Sequence, residues 1–220
     1  MNAAEKTRHL AAGETPPPND ASKSPLARQE APAGTALLVV DMLGAWSFPE
    51  ADSLLSRALA IAPATQALKR RCKANSVPVI YANDNHGHWR TDFRGLVEQG
   101  LRSGGARARL NELLFPDEED YFVLKPKQSA FFATPLDMLL SHLKVRRLLV
   151  TGVATDQCVL ATVLDARMRD YSVHCPSDCL ATHDDRRQAQ AVRHLADVLE
   201  LDVTPSHALD VKTLGAIDQR

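Results

Sequence analysis

The chain carries no strong charge of either sign: 26 Lys and Arg stand against 27 Asp and Glu, a formal net charge of −1. That balance gives no electrostatic reason to expect nucleic acid or an anionic membrane as partner. Long apolar runs are also missing. The longest, around Leu148–Val153, suits a buried strand and is far too short for a bilayer span. The start of the sequence lacks the apolar h-region of a secretory signal. The four cysteines (Cys72, Cys158, Cys175 and Cys179) form no CxxC pair. A reducing cytoplasm with free thiols is therefore the expected setting. Gly104-Gly105 fits neither a P-loop nor a GxGxxG pattern, so nucleotide binding has no support.

What is present fits one α/β domain. A length of 220 residues and an apolar share of 45% suffice for a single substantial core and not for two. Residues 1–33 read as a tail, with a Pro16-Pro17-Pro18 run, scattered charge and no apolar period. Such a segment buries too little to offset its ordering entropy, so disorder or a loose arm is expected there. Residues 34–220 form the domain. Ala36–Val40, Val77–Ala82, Tyr121–Leu124, Leu148–Val153 and Ser172–Pro176 read as strands, with a last short one near Leu201–Thr204. Helical periods cover Leu54–Asn75, Pro135–Leu143, Gln157–Arg169 and Arg186–Leu199. Apolar strands separated by helices imply a parallel sheet covered on both faces, a Rossmann-like three-layer α/β/α arrangement. Right-handed crossovers place all strand C-termini on one edge, where such sheets bind ligands.

Three polar residues follow apolar strands: Asp41 after LLVV, Lys125 after YFVL, and Cys158 shortly after LLVTGV. Each alone has a bland explanation as a turn former, a solvated charge or a small core residue. The topology brings all three to one edge, which raises the interest of each. Cys158 also sits where strand passes through a tight turn into helix. Unpaired amides and the helix dipole there are expected to lower the thiol pKa and to hold an oxyanion. A neighbouring Lys would favour the thiolate, and an Asp would carry protons between thiol, leaving group and water.

These blocks resemble the isochorismatase-like cysteine hydrolases, which include nicotinamidases, N-carbamoylsarcosine amidohydrolases, ureidoacrylate amidohydrolases and biuret hydrolases. The resemblance spans about Thr35 to Thr204. It rests on ALLVVDML with Asp41, VLKPKQSAFFATPLDMLL with Lys125, and LLVTGVATDQCVLATVLDARMRDYSV with Cys158. It implies a six-stranded parallel sheet and an Asp–Lys–Cys triad of Asp41, Lys125 and Cys158. It also implies a cis peptide at Val153–Ala154 and an oxyanion hole from the amides of Ala154 and Cys158. Lys127 competes for the lysine role; the family pattern favours Lys125. The substrate is then a small molecule with an amide or ureido bond, and a homo-oligomer, dimer or tetramer, is expected. Isochorismatases proper cleave a vinyl ether and can dispense with the cysteine, and a silent binding protein on the same fold is a further alternative.

Asp84 and His86 fall where nicotinamidases bind a divalent metal, but the family's His-Pro continuation is replaced here by Trp89, Arg90, Thr91, Asp92 and Phe93. His88 is too close to His86 to act as the usual third ligand. The expectation is no metal or other cofactor, with Asp84 and His86 as weak candidates only. Substrate contacts are expected from Trp46, Asn83, Trp89, Phe131 and Gln157, with Phe48 and Phe93 as further aromatic candidates. Cys175 and Cys179 read as buried thiols. His183, His194, Arg107–Arg109 and Arg186–Arg187 read as ordinary surface or helix residues.

Overall fold

A computed structural model describes residues 34–211 except His88. The expected tail over residues 1–33 and the reading of His88 lie outside the described residues. The strands are β1 (Gly34–Val40), β2 (Val79–Asp84), β3 (Tyr121–Lys125), β4 (Val145–Val153), β5 (Ser172–His174) and β6 (Leu180–Ala181). The helices are α1 (Ala51–Ala74), α2 (Phe93–Arg102), α3 (Gly105–Leu113), α4 (Leu136–His142), α5 (Leu160–Arg167) and α6 (Asp185–Arg193). All strand pairs are parallel, in the order β3-β2-β1-β4-β5, with β6 also beside β4.

Alternation along the central strands builds two cores. Leu37 and Val39 of β1, Val79 and Tyr81 of β2 and Leu149 of β4 face one layer, closed by Leu54, Leu55, Ala58 and Leu68 of α1 and by Leu96 and Leu110 of α2 and α3. Ala36, Leu38, Val40, Ile80, Ala82, Leu148 and Val150 face the other, closed by Leu136 and Leu140 of α4 and by Val163 and Ala166 of α5. Each face buries a strand side chain every second residue, so the strands are apolar throughout. Among the described residues, no helix is long and apolar enough to cross a membrane.

The expected fold class holds, with two differences in detail. The segment Leu201–Thr204 forms only a single bridge, Asp202 to His174. The sixth strand is Leu180–Ala181 instead. β4 is nine residues long, and β5 occupies only Arg147–Leu149 of it. Gly152 and Val153 are left for the returning chain, and Leu180 and Ala181 take them. Helices α2 and α3 fill the stretch between Trp89 and Tyr121, for which no element was foreseen. Asp92 starts α2 by accepting from the Gly95 amide at 2.7 Å, and Gly104, with φ 70°, separates the two.

β1 and β4 approach so closely at their C-terminal ends that only glycine fits at position 152. A Cβ there would lie 2.0 Å from the Val40 carbonyl oxygen, and φ is 114°. Val40 pairs with both Ala82 and Gly152, and Asp84 pairs with Lys125. The ends of four strands are thereby drawn to one edge of the sheet.

Candidate active site

Asp41 is the first residue beyond β1, turned at φ 52° into the left-handed region. Its amide still donates to the Ala82 carbonyl at 2.9 Å. One carboxylate oxygen accepts from the Asp84 amide at 2.7 Å, and the other lies 2.9 Å from Lys125 Nζ. Lys125 closes β3 and is completely buried. Its ammonium also meets Asp84 Oδ2 at 3.4 Å, the Lys127 carbonyl at 3.2 Å and Cys158 Sγ at 3.4 Å. Burial alone would lower the Lys125 pKa, but Asp41, Cys158 and Asp84 outweigh it and hold the pKa above the ordinary lysine range. Lys127 contributes only its backbone to this cluster.

Cys158 reaches the cluster from beyond β4, past the cis Val153–Ala154 bond. It is the fourth residue of a wide π-type turn, Thr155–Val159, that precedes α5. The Ala154 carbonyl accepts from the amides of Gln157 at 3.0 Å and Val159 at 3.2 Å. Insertions of this kind in helices recur at functional sites. The thiol differs from the expectation of a lowered pKa. Burial pushes it up to about 12, with the Asp41 carboxylate adding to the rise and Lys125 opposing it. Burial and the Asp41 carboxylate, which is in hydrogen-bonding reach, thus both favour the neutral thiol.

The same edge opens into a cavity of about 230 Å³, below the roughly 300–1,000 Å³ of sites for drug-sized ligands. Asp41, Trp46, Asn83, Ala154, Gln157 and Cys158 line it. Trp89 and Phe131 do not. Trp89 is 79% exposed in the loop after Gly87, and Phe131 belongs to the opposite core layer, against Tyr171 and under Arg169. Phe93 stacks on Phe122 at 4.5 Å, away from the cavity, whereas Phe48 lines it and stacks on His86 at 5.4 Å.

His183 and Glu50 also line the cavity, and neither was foreseen there. His183, with Nδ1 3.3 Å from Ser53 Oγ, follows β6, a two-residue strand with no sequence period to mark it. Arg187 of α6 is not a free surface charge. It donates to Asp156 Oδ2 at 2.7 Å, while Thr182 donates to Oδ1 at 2.5 Å. Burial works against the charge on Asp156, but these bonds hold its carboxyl below the ordinary range. Gln188 accepts from Thr155 Oγ1 at 2.8 Å. The turn that carries Cys158 is thus anchored to α6 at two successive residues, Thr155 and Asp156.

Asp84 and His86 do not assemble a metal centre by themselves. His86 Nδ1 lies 3.9 Å from Asp84 Oδ1, and Asp84 also engages Lys125 and the His86 amide. Among the described residues, no group of three or more His, Cys, Asp or Glu side chains is placed to hold a metal ion.

The model of the isochorismatase domain family matches residues 35–204. The isochorismatase family protein YaaI of Bacillus subtilis (strain 168) is 36% identical over 172 residues, 78% of this chain and 94% of that one. The ureidoacrylate amidohydrolase RutB of Enterobacter sp. (strain 638) is 41% identical over 71 residues, covering 32% of this chain and 31% of RutB. A cysteine hydrolase from Pseudomonas syringae pv. phaseolicola 1448A has the same fold, with a TM-score of 0.65 and 24% identity over 84% of this chain and 93% of that one. With its parallel sheet, its strand-end cluster and a family match over most of its length, the chain belongs to the isochorismatase family of hydrolases.

Proposed function

We propose that this protein hydrolyses an amide or ureido C–N bond of a small molecule through a thioester on Cys158. The carrying observation is that one buried ammonium, Lys125 Nζ, lies 2.9 Å from Asp41 and 3.4 Å from the Cys158 sulfur. In this reading Asp41 removes the thiol proton as sulfur attacks the carbonyl carbon, so no free thiolate need accumulate first. The S–C bond forms while the carbonyl π electrons move to oxygen, where the amides of Ala154 and Cys158 serve as donors. Collapse of the tetrahedral species breaks the C–N bond, and the proton on Asp41 passes to the departing nitrogen. Water then gives a proton to Asp41 and attacks the thioester carbon; the thiol leaves and recovers the proton. Lys125 keeps Asp41 charged and oriented throughout and compensates the negative charge that builds on sulfur.

No step in this scheme calls for a metal or other cofactor. Turnover unchanged by prolonged EDTA treatment is the expected result, and loss restored by zinc or manganese would contradict it.

The test is ammonia release from small amides and ureides, comparing wild type with Cys158→Ala. Loss of at least about a thousandfold on substitution fits nucleophilic catalysis. Retained turnover by Cys158→Ala would remove the thiol from the chemistry and favour an ether-cleaving reaction of the isochorismatase type. Absence of turnover in the wild type across the whole panel would favour a binding protein on this fold.

A further inference from the structure

Among the described residues, two buried side-chain polar atoms have no hydrogen-bond partner: Trp46 Nε1 and Asn83 Oδ1. Both residues line the cavity beside Cys158. Trp46 is 3% exposed and Asn83 is 2% exposed. Orphaned buried groups are rare because each forfeits its hydration without recompense. The orientation of Asn83 is fixed, since its Nδ2 donates to the Leu43 carbonyl at 2.9 Å. That leaves the oxygen as the free end. One donor and one acceptor without partners therefore belong to residues of the cavity wall.

The charges around them are one-sided. Asp41, Glu50 and Asp84 line the cavity together with the imidazoles of His86 and His183, and among the described residues no arginine or lysine does. Lys125 stands behind, bound to Asp41 and Asp84. Arg107, the guanidinium nearest the Trp46 loop, donates to the Trp46 carbonyl and pairs with Asp52 at 2.7 Å. Arg187 is committed to Asp156. Recognition of a carboxylate usually uses a fork of this kind, and both are already engaged.

Resting on the proposed amide or ureide hydrolysis, we propose that Trp46 and Asn83 select the substrate, and that it is an uncharged ureide or diamide. Its nitrogen donates to Asn83 Oδ1 and a second carbonyl, beyond the scissile one, accepts from Trp46 Nε1. A compound of the same length that ends in a carboxylate meets the carboxylate of Glu50 and those of Asp41 and Asp84, whose ammonium partner Lys125 is already engaged. It meets no lysine or arginine among the described lining residues.

Calorimetric titration of the Cys158→Ala variant tests this without turnover. The probes are N-carbamoylglycinamide (uncharged, with a second carbonyl), N-carbamoylglycine (the matching carboxylate) and N-propylurea (no second carbonyl). The diamide is expected to bind at least about tenfold more tightly than the carboxylate. Adding Trp46→Phe should weaken the diamide about tenfold and leave N-propylurea unchanged. The melting temperature should fall only slightly, since removal of a buried donor that has no partner offsets part of the cost of the lost ring volume. Equal or tighter binding of the carboxylate, no binding of the diamide, or equal losses for diamide and propylurea would overturn the proposal. Failure of the thioester chemistry would appear separately, as wild-type enzyme that binds the diamide and releases no ammonia.

Discussion

At the scale of single residues, the thiol of Cys158 and the ammonium of Lys125 depend on the same carboxylate. Burial pushes Cys158 up to about 12, and in the proposed mechanism its proton passes to Asp41 during attack. Alkylation of Cys158 by iodoacetamide in the free enzyme should therefore rise about tenfold per pH unit through the alkaline range. A plateau near neutrality would mean a preformed thiolate. Lys125→Met is expected to cut turnover at least about a hundredfold. It also leaves the half-buried Asp41 and Asp84 facing each other without their cation, so the melting temperature should fall as well. Lys125→Arg should not rescue it, because a planar fork does not fit a site built around one point charge. A Lys125→Met enzyme with wild-type turnover and melting temperature would contradict this account.

At the scale of elements, distant segments hold the site loops. Asn111 of α3, completely buried, donates to the Gly44 carbonyl and accepts from the Gly44 amide, both at 2.9 Å. It thus pins the loop that carries Asp41 and Trp46. Space for its amide comes from Gly100 of α2, where a Cβ would lie 2.3 Å from Asn111 Oδ1. Asn111→Ala should cost about 1–3 kcal/mol, read from urea unfolding, for the bonds left unmade. Because the loop loosens, kcat/KM should fall more than the folded fraction does. These links explain what the sequence could convey. Asp41, Lys125 and Cys158 were legible because each follows an apolar strand, and parallel topology sends such positions to one edge. Asn111, Arg187 and His183 were not, because the first two act from helix faces and the third from the loop after a two-residue strand. Trp89 and Phe131 show the converse: an aromatic ring has no periodicity that tells a cavity wall from a core or an exposed loop.

At the scale of the whole molecule, four free cysteines are divided between the two cores, Cys72 and Cys179 in one and Cys175 in the other, with Cys158 packed against the second. Burial pushes Cys72, Cys158, Cys175 and Cys179 each up to about 12, from an ordinary value near 9. Above pH about 9 the unfolded chain releases thiol protons that the folded chain keeps, so stability falls as pH rises. The buried Tyr81 hydroxyl, also raised, acts in the same direction. The urea midpoint should therefore drop steadily between about pH 8 and about pH 10.5, and a flat profile would contradict the burial of these thiols. The layered architecture was legible outside the α2–α3 stretch, since apolar strands alternate with helical periods elsewhere from Ala36 to Leu199. The sixth strand was misplaced because its identity depends on the unequal lengths of β4 and β5. The central claim, a covalent bond from substrate carbon to the Cys158 sulfur, is tested most directly by mass spectrometry of enzyme acid-quenched during turnover of an amide. The account predicts an acyl or carbamoyl mass added to the peptide that contains Cys158, and absent from Asp41→Asn enzyme. Unmodified Cys158 in an enzyme that is turning over with burst kinetics would contradict it.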